Sequence, residues 1–341
     1  MKTRVAINGF GRIGRLAFRN LIEDDAVEVV AFNDLANLEM LVHLLKFDTA
    51  HGAFPHDVAI KDEDTITIDG HEIQVYKERD PEQLPWGALN IDVVLESTGV
   101  FLSTEMASKH LNAGAQRVVL SAPAKSADIR TIVLGVNDEQ LDAEDKIVSN
   151  ASCTTNCLAP MAKVIQDSFG LEQGYITTIH AYTADQRLQD APHSKDFRRA
   201  RAAAANMIPT STGAAKAVGL VLPELQGKLD GMAVRVPVIT GSLTDCSFIM
   251  GKETSAEEVN AAMQQAAEGP LKGILQYSED PLVSSDIIGN RYSCIFDAQL
   301  TSVNGKFLKM SGWYDNEAGY AKRAAELAVR VGQLIQAGVS A

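Results

Sequence analysis

Val5-Ala6-Ile7-Asn8-Gly9-Phe10-Gly11-Arg12-Ile13-Gly14-Arg15 is the stretch whose reading sets the fold. Val5-Ala6-Ile7 is a short apolar run, as expected of a buried strand. From Arg12 a helix-compatible run continues to about Ile22, and Val27 to Phe32 reads as a second strand ending at Asn33-Asp34. Strand, glycine turn, helix and strand make a βαβ unit with G-x-G-x-x-G at its first turn. The spacing alone is weak evidence. Its context strengthens it: a strand before, a helix after, and an acid, Asp34, 20 positions beyond Gly14. In such a unit Gly9 permits the tight turn, Gly11 lets backbone approach a pyrophosphate, and Gly14 lets helix and strand pack closely. Backbone N–H groups near Arg12 and Ile13 would face the phosphates. Asp34 would accept hydrogen bonds from the adenosine ribose. A structural glycine turn without ligand is the competing reading.

The alternation continues to about residue 150. Leu38 to Leu45 has a helical pattern. Thr65 to Ile68 and Glu72 to Tyr76 flank Asp69-Gly70, a hairpin dipeptide. Asp92 to Glu96 and Arg117 to Leu120 read as buried strands, Thr104 to Ala113 as a helix stopped by Gly114, and Thr131 to Leu134 and Ile147-Val148 complete the set. This predicts an α/β domain over residues 1–151 with a Rossmann-type doubly wound, mainly parallel sheet. After Ser149 the strands lengthen and alternate: Tyr175 to His180, Met232 to Val238, Thr244 to Met250, Ser293 to Gln299 and Lys306 to Trp313. An α+β catalytic domain over 152–316, with a mainly antiparallel sheet and helices on one face, is expected. Residues 317–341 are expected to form a C-terminal helix packing back on the first domain. No convincing strand lies between His180 and Ile208, and long loops of that kind are usually functional or interfacial.

Composition narrows the function classes. The 341 residues are 46% hydrophobic, and no run of 18 is wholly apolar, as expected of a soluble globular chain. A net charge of −13 disfavours nucleic-acid binding by the whole surface; Arg198-Arg199-Ala200-Arg201 is the one candidate basic patch. Met1 leads directly into a strand pattern, so no signal peptide is expected. Four cysteines suggest no disulfide framework and favour a reducing cytoplasm. Cys153 and Cys157 lack a second ligand pair at zinc spacing, so no metal is expected.

Cys153 carries the candidate chemistry. It stands in Ser149-Asn150-Ala151-Ser152-Cys153-Thr154-Thr155-Asn156-Cys157, ahead of a helical pattern from Leu158 to Phe169. Ser152 would cap that helix and put Cys153 in its first turn, where free N–H groups and the helix dipole stabilise a thiolate. A small buried hydrophobe is the bland alternative, but the polar run on both sides argues against it. His180 ends a strand beside a polar loop, well placed as the base a thiolate needs; a lone histidine is more often ordinary. Thr210-Ser211-Thr212-Gly213 before a helix start, and Arg235 within a strand, suggest anion sites, with capping and a structural ion pair as the alternatives.

Together these segments resemble the phosphorylating glyceraldehyde-3-phosphate dehydrogenases over essentially the whole chain. The resemblance rests on Ile7 to Arg15, Ser149 to Cys157, His180-Ala181-Tyr182-Thr183, Arg198 to Ala204, Ile208 to Lys216 and Trp313-Tyr314-Asp315-Asn316-Glu317. The run around Cys153 is far more specific than the glycine turn. The resemblance implies NAD as cofactor, held by Gly9, Gly11, Arg12, Ile13, Gly14, Asp34, Arg79, Ser121 and Asn316. It implies Cys153 as nucleophile and His180 as base and later acid. Thr183 and Arg235 would hold the substrate phosphate. Ser152, Thr154, Thr212 and Gly213 would line the inorganic phosphate site, with Arg199 nearby. It also implies glyceraldehyde 3-phosphate and inorganic phosphate as substrates, a homotetramer, a cytoplasmic setting, and neither membrane nor nucleic-acid partners.

Two rival activities are close. An erythrose-4-phosphate dehydrogenase would differ in the loop after the histidine, where this chain keeps Tyr182-Thr183. Another thiol-dependent aldehyde dehydrogenase would lack the Thr183 and Arg235 pair. A cofactor-binding protein without turnover would have lost Cys153 or His180. Ala191, before Pro192, departs from the leucine of many NAD-specific relatives and occurs in NADP-using forms. Asp34-Leu35 and Pro192 favour NAD.

Overall fold

Strand β1 (Thr3–Asn8) delivers the glycine turn to helix α1 (Arg12–Leu21), and β2 (Val27–Asn33) returns parallel to β1, with Ile7 opposite Phe32. Phe10 in the turn stacks on Phe32 of β2 at 3.9 Å between ring centroids and meets Phe18 of α1 edge-on at 5.3 Å. One aromatic cluster thus fixes turn, helix and strand together. These elements belong to a computed structural model that describes residues 2–339.

The chain continues through α2 (Leu38–Lys46), β3 (Val58–Asp62), β4 (Thr65–Ile68), β5 (His71–Tyr76), β6 (Val93–Glu96), α3 (Thr104–Asn112), β7 (Arg117–Leu120), β8 (Arg130–Thr131) and β9 (Ile147–Ser149). The sheet order is β3-β4-β5-β2-β1-β6-β7-β9-β8. Every pairing from β5 to β8 is parallel, and β3, β4 and β5 pair antiparallel. Asp69 and Gly70 take φ of 50° and 83° in the β4–β5 turn, the left-handed pair a two-residue hairpin requires. β2 and β6 flank β1 on opposite sides, so the chain reverses its direction of winding there. Doubly wound sheets open a ligand crevice at such a point. Trp86 is fully buried among Val30, Ala31, Ile91 and Val94.

The second half holds α4 (Cys153–Phe169), β10 (Leu171–Ala181), β11 (Ile208–Ser211), α5 (Ala214–Val221), β12 (Leu229–Val236), β13 (Ser242–Met250), α6 (Ala256–Glu268), β14 (Leu275–Ser278), β15 (Cys294–Asn304), β16 (Phe307–Tyr314) and α7 (Ala318–Val339). The sheet order is β11-β12-β10-β13-β16-β15-β14, antiparallel except at β10–β12 and β14–β15. β13 alternates buried and half-buried residues along its length, which marks one face as core. Trp313 of β16 is half-buried and donates its indole N–H to Asp297 at 3.0 Å.

Of the described residues, 2–132, 139–151 and 321–339 form one compact unit, and 133–138 with 152–320 form the other. In the first, a Cβ on Gly332 of α7 would fall 2.1 Å from the Thr3 methyl, so that helix lies directly on the start of β1. In the second, residues 182–207 hold no strand beyond a single bridge between Arg187 and Ala202, and Leu188 and Phe197 stand in solvent. No described helix is long and apolar enough to cross a membrane.

Candidate active site

The glycine turn is shaped as its spacing implies. Gly9 has φ of +94°, and a Cβ there would lie 2.7 Å from the Thr98 nitrogen. A Cβ on Gly14 would sit 2.0 Å from the Gly9 carbonyl oxygen, so only glycine lets α1 start this close to the turn. Gly11 has nothing within 4 Å on its Cβ side and no side chain caps the helix it begins, leaving first-turn N–H groups for an anion. A cavity of about 370 Å³ opens here, lined by Gly9, Gly11, Asp34, Arg79, Ser97 and Thr98 among others. Asp34 does more than face the cavity. Its carboxylate accepts the Phe10 N–H at 2.8 Å and the Ala36 N–H at 3.0 Å, tying the turn to the end of β2.

Two of the expected cofactor residues are placed less directly. The Arg12 guanidinium is bound to Asp48, so its backbone rather than its charge is on offer to a ligand. Burial alone would raise the Asp48 carboxyl, but the Arg12 and backbone hydrogen bonds overcome it and hold that group well below the carboxylate range. Ser121 follows β7 and donates its N–H to the Glu96 carbonyl at 2.9 Å; it does not line the cavity.

Beneath the crevice lies a buried polar chain that sequence reasoning missed. Trp86 donates its indole N–H to His110 Nδ1 at 3.0 Å, so His110 presents an Nε2 proton to Glu96 at 3.0 Å. Glu96 also accepts from Asn8 at 2.6 Å and from the Thr98 N–H at 2.7 Å. Its carboxylate therefore ties the ends of β1 and β6 together. All three of Trp86, His110 and Glu96 are fully buried.

The thiol site is built on three elements of the second unit. Ser152 caps α4, its hydroxyl accepting the Thr155 N–H at 3.1 Å, and Cys153 is the first helical residue. His180 and Arg235 are register partners on the parallel strands β10 and β12. His180 Nε2 lies 3.4 Å from Cys153 Sγ. Arg235 Nη1 lies 2.7 Å from His180 Nδ1 and 3.0 Å from the Ala181 carbonyl oxygen, which is itself 2.7 Å from Nδ1. Cys153 and His180, expected as a pair, are thus brought together, with Arg235 beside them.

Burial pushes the Cys153 thiol up, and the Arg235 charge and Thr154 only partly offset it. Burial, then Arg235, takes His180 down to about 3. Burial thus opposes charge on both groups, and the Arg235 guanidinium favours the thiolate while opposing the imidazolium.

Tyr314 was not anticipated as part of this site. Its hydroxyl lies 2.8 Å from both Thr154 Oγ1 and Thr178 Oγ1, and its ring meets His180 edge-on at 5.9 Å between centroids. Thr178 stands two residues before His180 on β10, on the same face, a signal the alternation offered. The Thr154 hydroxyl is therefore spent inside the fold. Arg199 is likewise engaged. It bonds Asp185 at 2.5 Å, Thr210 Oγ1 at 2.9 Å and the Ser211 carbonyl at 3.3 Å. Thr212 Oγ1 accepts the Ala214 N–H at 3.2 Å, and Gly213 opens α5 without a side-chain cap. Thr183 is half-buried just past β10, its N–H donating to Gln186 at 3.2 Å. The Asn316 side-chain oxygen accepts from the Ser242 hydroxyl at 2.8 Å and the Gly241 N–H at 3.2 Å. Cys157, Cys246 and Cys294 are buried, and all four cysteines are free.

Comparison with known proteins agrees with this geometry. The family model described as glyceraldehyde 3-phosphate dehydrogenase, NAD binding domain, matches residues 3–104, and that for the C-terminal domain matches residues 152–316. The glyceraldehyde-3-phosphate dehydrogenase of Mycolicibacterium smegmatis is 55% identical, over 98% of this chain and 99% of its own. This chain belongs to the glyceraldehyde-3-phosphate dehydrogenase family. Relatives from Streptomyces avermitilis and Streptomyces coelicolor are each 56% identical over 97% of this chain and 99% of theirs. The glycine turn falls inside the family's NAD-binding domain, and Cys153, His180 and Arg235 inside its C-terminal domain. NAD is the cofactor that family implies, and the open side of Gly11, the uncapped start of α1 and the Asp34 carboxylate fit its pyrophosphate and ribose.

Proposed function

We propose that this chain oxidises glyceraldehyde 3-phosphate with inorganic phosphate to 1,3-bisphosphoglycerate. The observation that carries this reading is the Cys153–His180 pair at the start of α4, with Arg235 beside it. NAD, which the glycine turn, Asp34 and Arg79 would hold, would supply the hydride acceptor. Cys153 Sγ adds to the aldehyde carbon while its proton passes to the new oxygen. His180 then takes the hydroxyl proton at Nε2 as hydride departs, leaving a thioester on Cys153. The Cys153 N–H stabilises charge on that oxygen. Inorganic phosphate attacks the thioester, the acyl phosphate leaves, and His180 returns a proton to sulfur.

Thr183 and Arg235 are assigned to the substrate phosphate. Ser152, Thr212 and Gly213 are assigned to inorganic phosphate, Thr154 by its backbone. Arg199 holds the strand that carries Thr210 and Ser211 and supports that site through them. A homotetramer is assigned because the long loop over residues 182–207 exposes Leu188 and Phe197 and has no core of its own. A reducing cytoplasm suits four free thiols.

A spectrophotometric assay of cofactor reduction tests the reading. Glyceraldehyde 3-phosphate should drive sustained reduction only with phosphate present, and faster than erythrose 4-phosphate does. Phosphate-independent turnover, or the reverse preference, would overturn it.

A further inference from the structure

We propose that Glu96 sets the affinity of the crevice for NAD without touching it, by holding the Thr98 N–H so that the backbone of residues 97–98 stays seated on Gly9. This rests on the crevice as the NAD site and not on the assignment of the aldehyde.

The direction of every hydrogen bond around Glu96 is set from outside. On one side stands the Glu78 N–H, which only donates and takes the Asn33 side-chain oxygen at 2.7 Å. The Asn33 amide nitrogen is left to serve the Glu78 carbonyl at 2.9 Å and the Asn8 side-chain oxygen at 2.7 Å. Asn8 must then turn its own nitrogen to Glu96, at 2.6 Å. On a second side the Trp86 N–H donates to His110 Nδ1 at 3.0 Å. That puts the imidazole proton on Nε2, aimed at the same Glu96 oxygen at 3.0 Å. The third side is the Thr98 backbone N–H, 2.7 Å from the other oxygen, with the Thr98 hydroxyl beside it. Reversing any one of these bonds sets donor against donor, or acceptor against acceptor, at Trp86, Glu78 or Thr98.

Residue 96 must therefore accept at both of its terminal atoms. A carboxylate does so and a carboxamide does not. Glutamine has nearly the shape of glutamate, yet only one of its ends is oxygen. Two donors, Asn8 and His110, converge on one end and would keep that oxygen. The amide nitrogen would then face the Thr98 N–H. The Thr98 hydroxyl can turn to accept from it; the backbone N–H cannot.

Thr98 matters because of what lies against it. A Cβ on Gly9 would fall 2.7 Å from the Thr98 nitrogen and 2.8 Å from the Ser97 carbonyl carbon, and the Ser97 N–H donates to the Asn8 carbonyl at 2.7 Å. The peptide between Ser97 and Thr98 thus backs the glycine turn, and Gly9, Ser97 and Thr98 line the same cavity. Glu96 itself is fully buried, so it acts through Thr98 as a positioning residue.

Calorimetric titration of the full chain with NAD, in the absence of aldehyde, is the test. Glu96→Gln should raise the NAD dissociation constant about 10-fold or more, because a buried N–H loses its acceptor. Its kcat at saturating NAD should stay within about 2-fold, since no reacting atom is touched. Amide exchange in the peptide that spans Ser97 and Thr98 should quicken before NAD is added. Glu96→Asp should behave differently. An aspartate carboxylate bonds the N–H two residues on, so NAD affinity should stay within about 3-fold while Asn8 and His110 lose their acceptor and stability falls. A glutamate that only fills and ties the core predicts the opposite order, because glutamine occupies the same space and aspartate leaves a gap. That opposite order, or a folded Glu96→Gln with unchanged NAD affinity, would overturn the proposal. If Glu96→Gln does not fold, Glu96→Asp decides alone: retained affinity in a less stable chain supports the proposal, and a loss of about 10-fold overturns it. If the unmodified chain bound no NAD, the cofactor assignment would fall and this proposal with it.

Discussion

Acid should destabilise this protein through one ring. His180 is buried, and burial with the Arg235 charge takes it down to about 3 from an ordinary 6.5. Its folded value lies below its unfolded value, so the stability involved is present above about pH 6.5 and drains away as pH falls toward 3. At about pH 4.5 the ring in an unfolded chain is protonated roughly 100 to 1, while in the folded chain it is still almost wholly neutral. Two decades of protonation correspond to about 2.7 kcal/mol. The figure is insensitive to the exact folded value, because pH 4.5 lies well above it. Urea unfolding at fixed protein concentration, at about pH 8 and about pH 4.5, gives the loss for the unmodified protein. His180→Asn gives the loss from every other group, and its carboxamide oxygen can still accept from Arg235. The unmodified protein should lose about 2.7 kcal/mol more than the variant over that interval. Equal losses would show that His180 titrates normally in the fold and that the desolvation argument is wrong.

Cys153→Ser should keep NAD binding and lose oxidation, since an unactivated hydroxyl is a far weaker nucleophile; iodoacetamide should label Cys153 before the buried Cys157, Cys246 and Cys294, and near-normal turnover of the serine variant would refute the mechanism. Asp34→Ala should narrow a preference for NAD over NADP of about 100-fold or more, and it should also raise the NAD KM, because Phe10 loses its partner. An unchanged NAD KM would show that bond to be idle, and equal use of both cofactors by the unmodified enzyme would show that Ala191 outweighs Asp34. Gly14→Ala forces a methyl to 2.0 Å from the Gly9 carbonyl; a loss of about 2–3 kcal/mol in unfolding free energy, with NAD binding abolished, is the expected result, and a stable variant that binds NAD would contradict it. The 36.7 kDa chain should elute near four times its mass, and a monomer fully active at high dilution would remove the argument from the loop.

What could be read from residues alone followed the range of the forces involved. β1, α1 and β2 were legible because a glycine turn and two apolar periods are local signals. β3 was not, because its exposed Ile60-Lys61-Asp62 is the charged face of an edge strand and carries no apolar alternation. β11 and β14, four residues each, carry neither an apolar run nor a flanking hairpin signal: Ile208-Pro209-Thr210-Ser211 and Leu275-Gln276-Tyr277-Ser278 are half polar. The mainly antiparallel second sheet was expected, but the parallel pairing of β10 with β12 leaves no mark in either segment. That pairing is what sets Arg235 beside His180. Cys153 in the first turn of α4 was predicted from Ser152 and Gly170. The upward push of burial on its thiol was not, since desolvation is a property of the packed fold. Tyr314 went unplaced for the same reason: its hydroxyl joins Thr154 and Thr178, which are far apart in sequence.

The two tryptophans give each unit its own optical label. Trp86 is sealed in the first unit, its indole N–H on a histidine that leads through Glu96 to the crevice wall; Trp313 is half-exposed in the second, its N–H on an aspartate. A shielded indole emits at shorter wavelength than one in contact with water, so the blue edge of the fluorescence belongs to the nucleotide-binding half and the red edge to the thiol-bearing half. Replacing Trp313 by phenylalanine therefore leaves a chain whose only indole sits two hydrogen bonds from a carboxylate that shapes the cofactor crevice. The melting of one half can be followed on it while the other is perturbed, with no added dye.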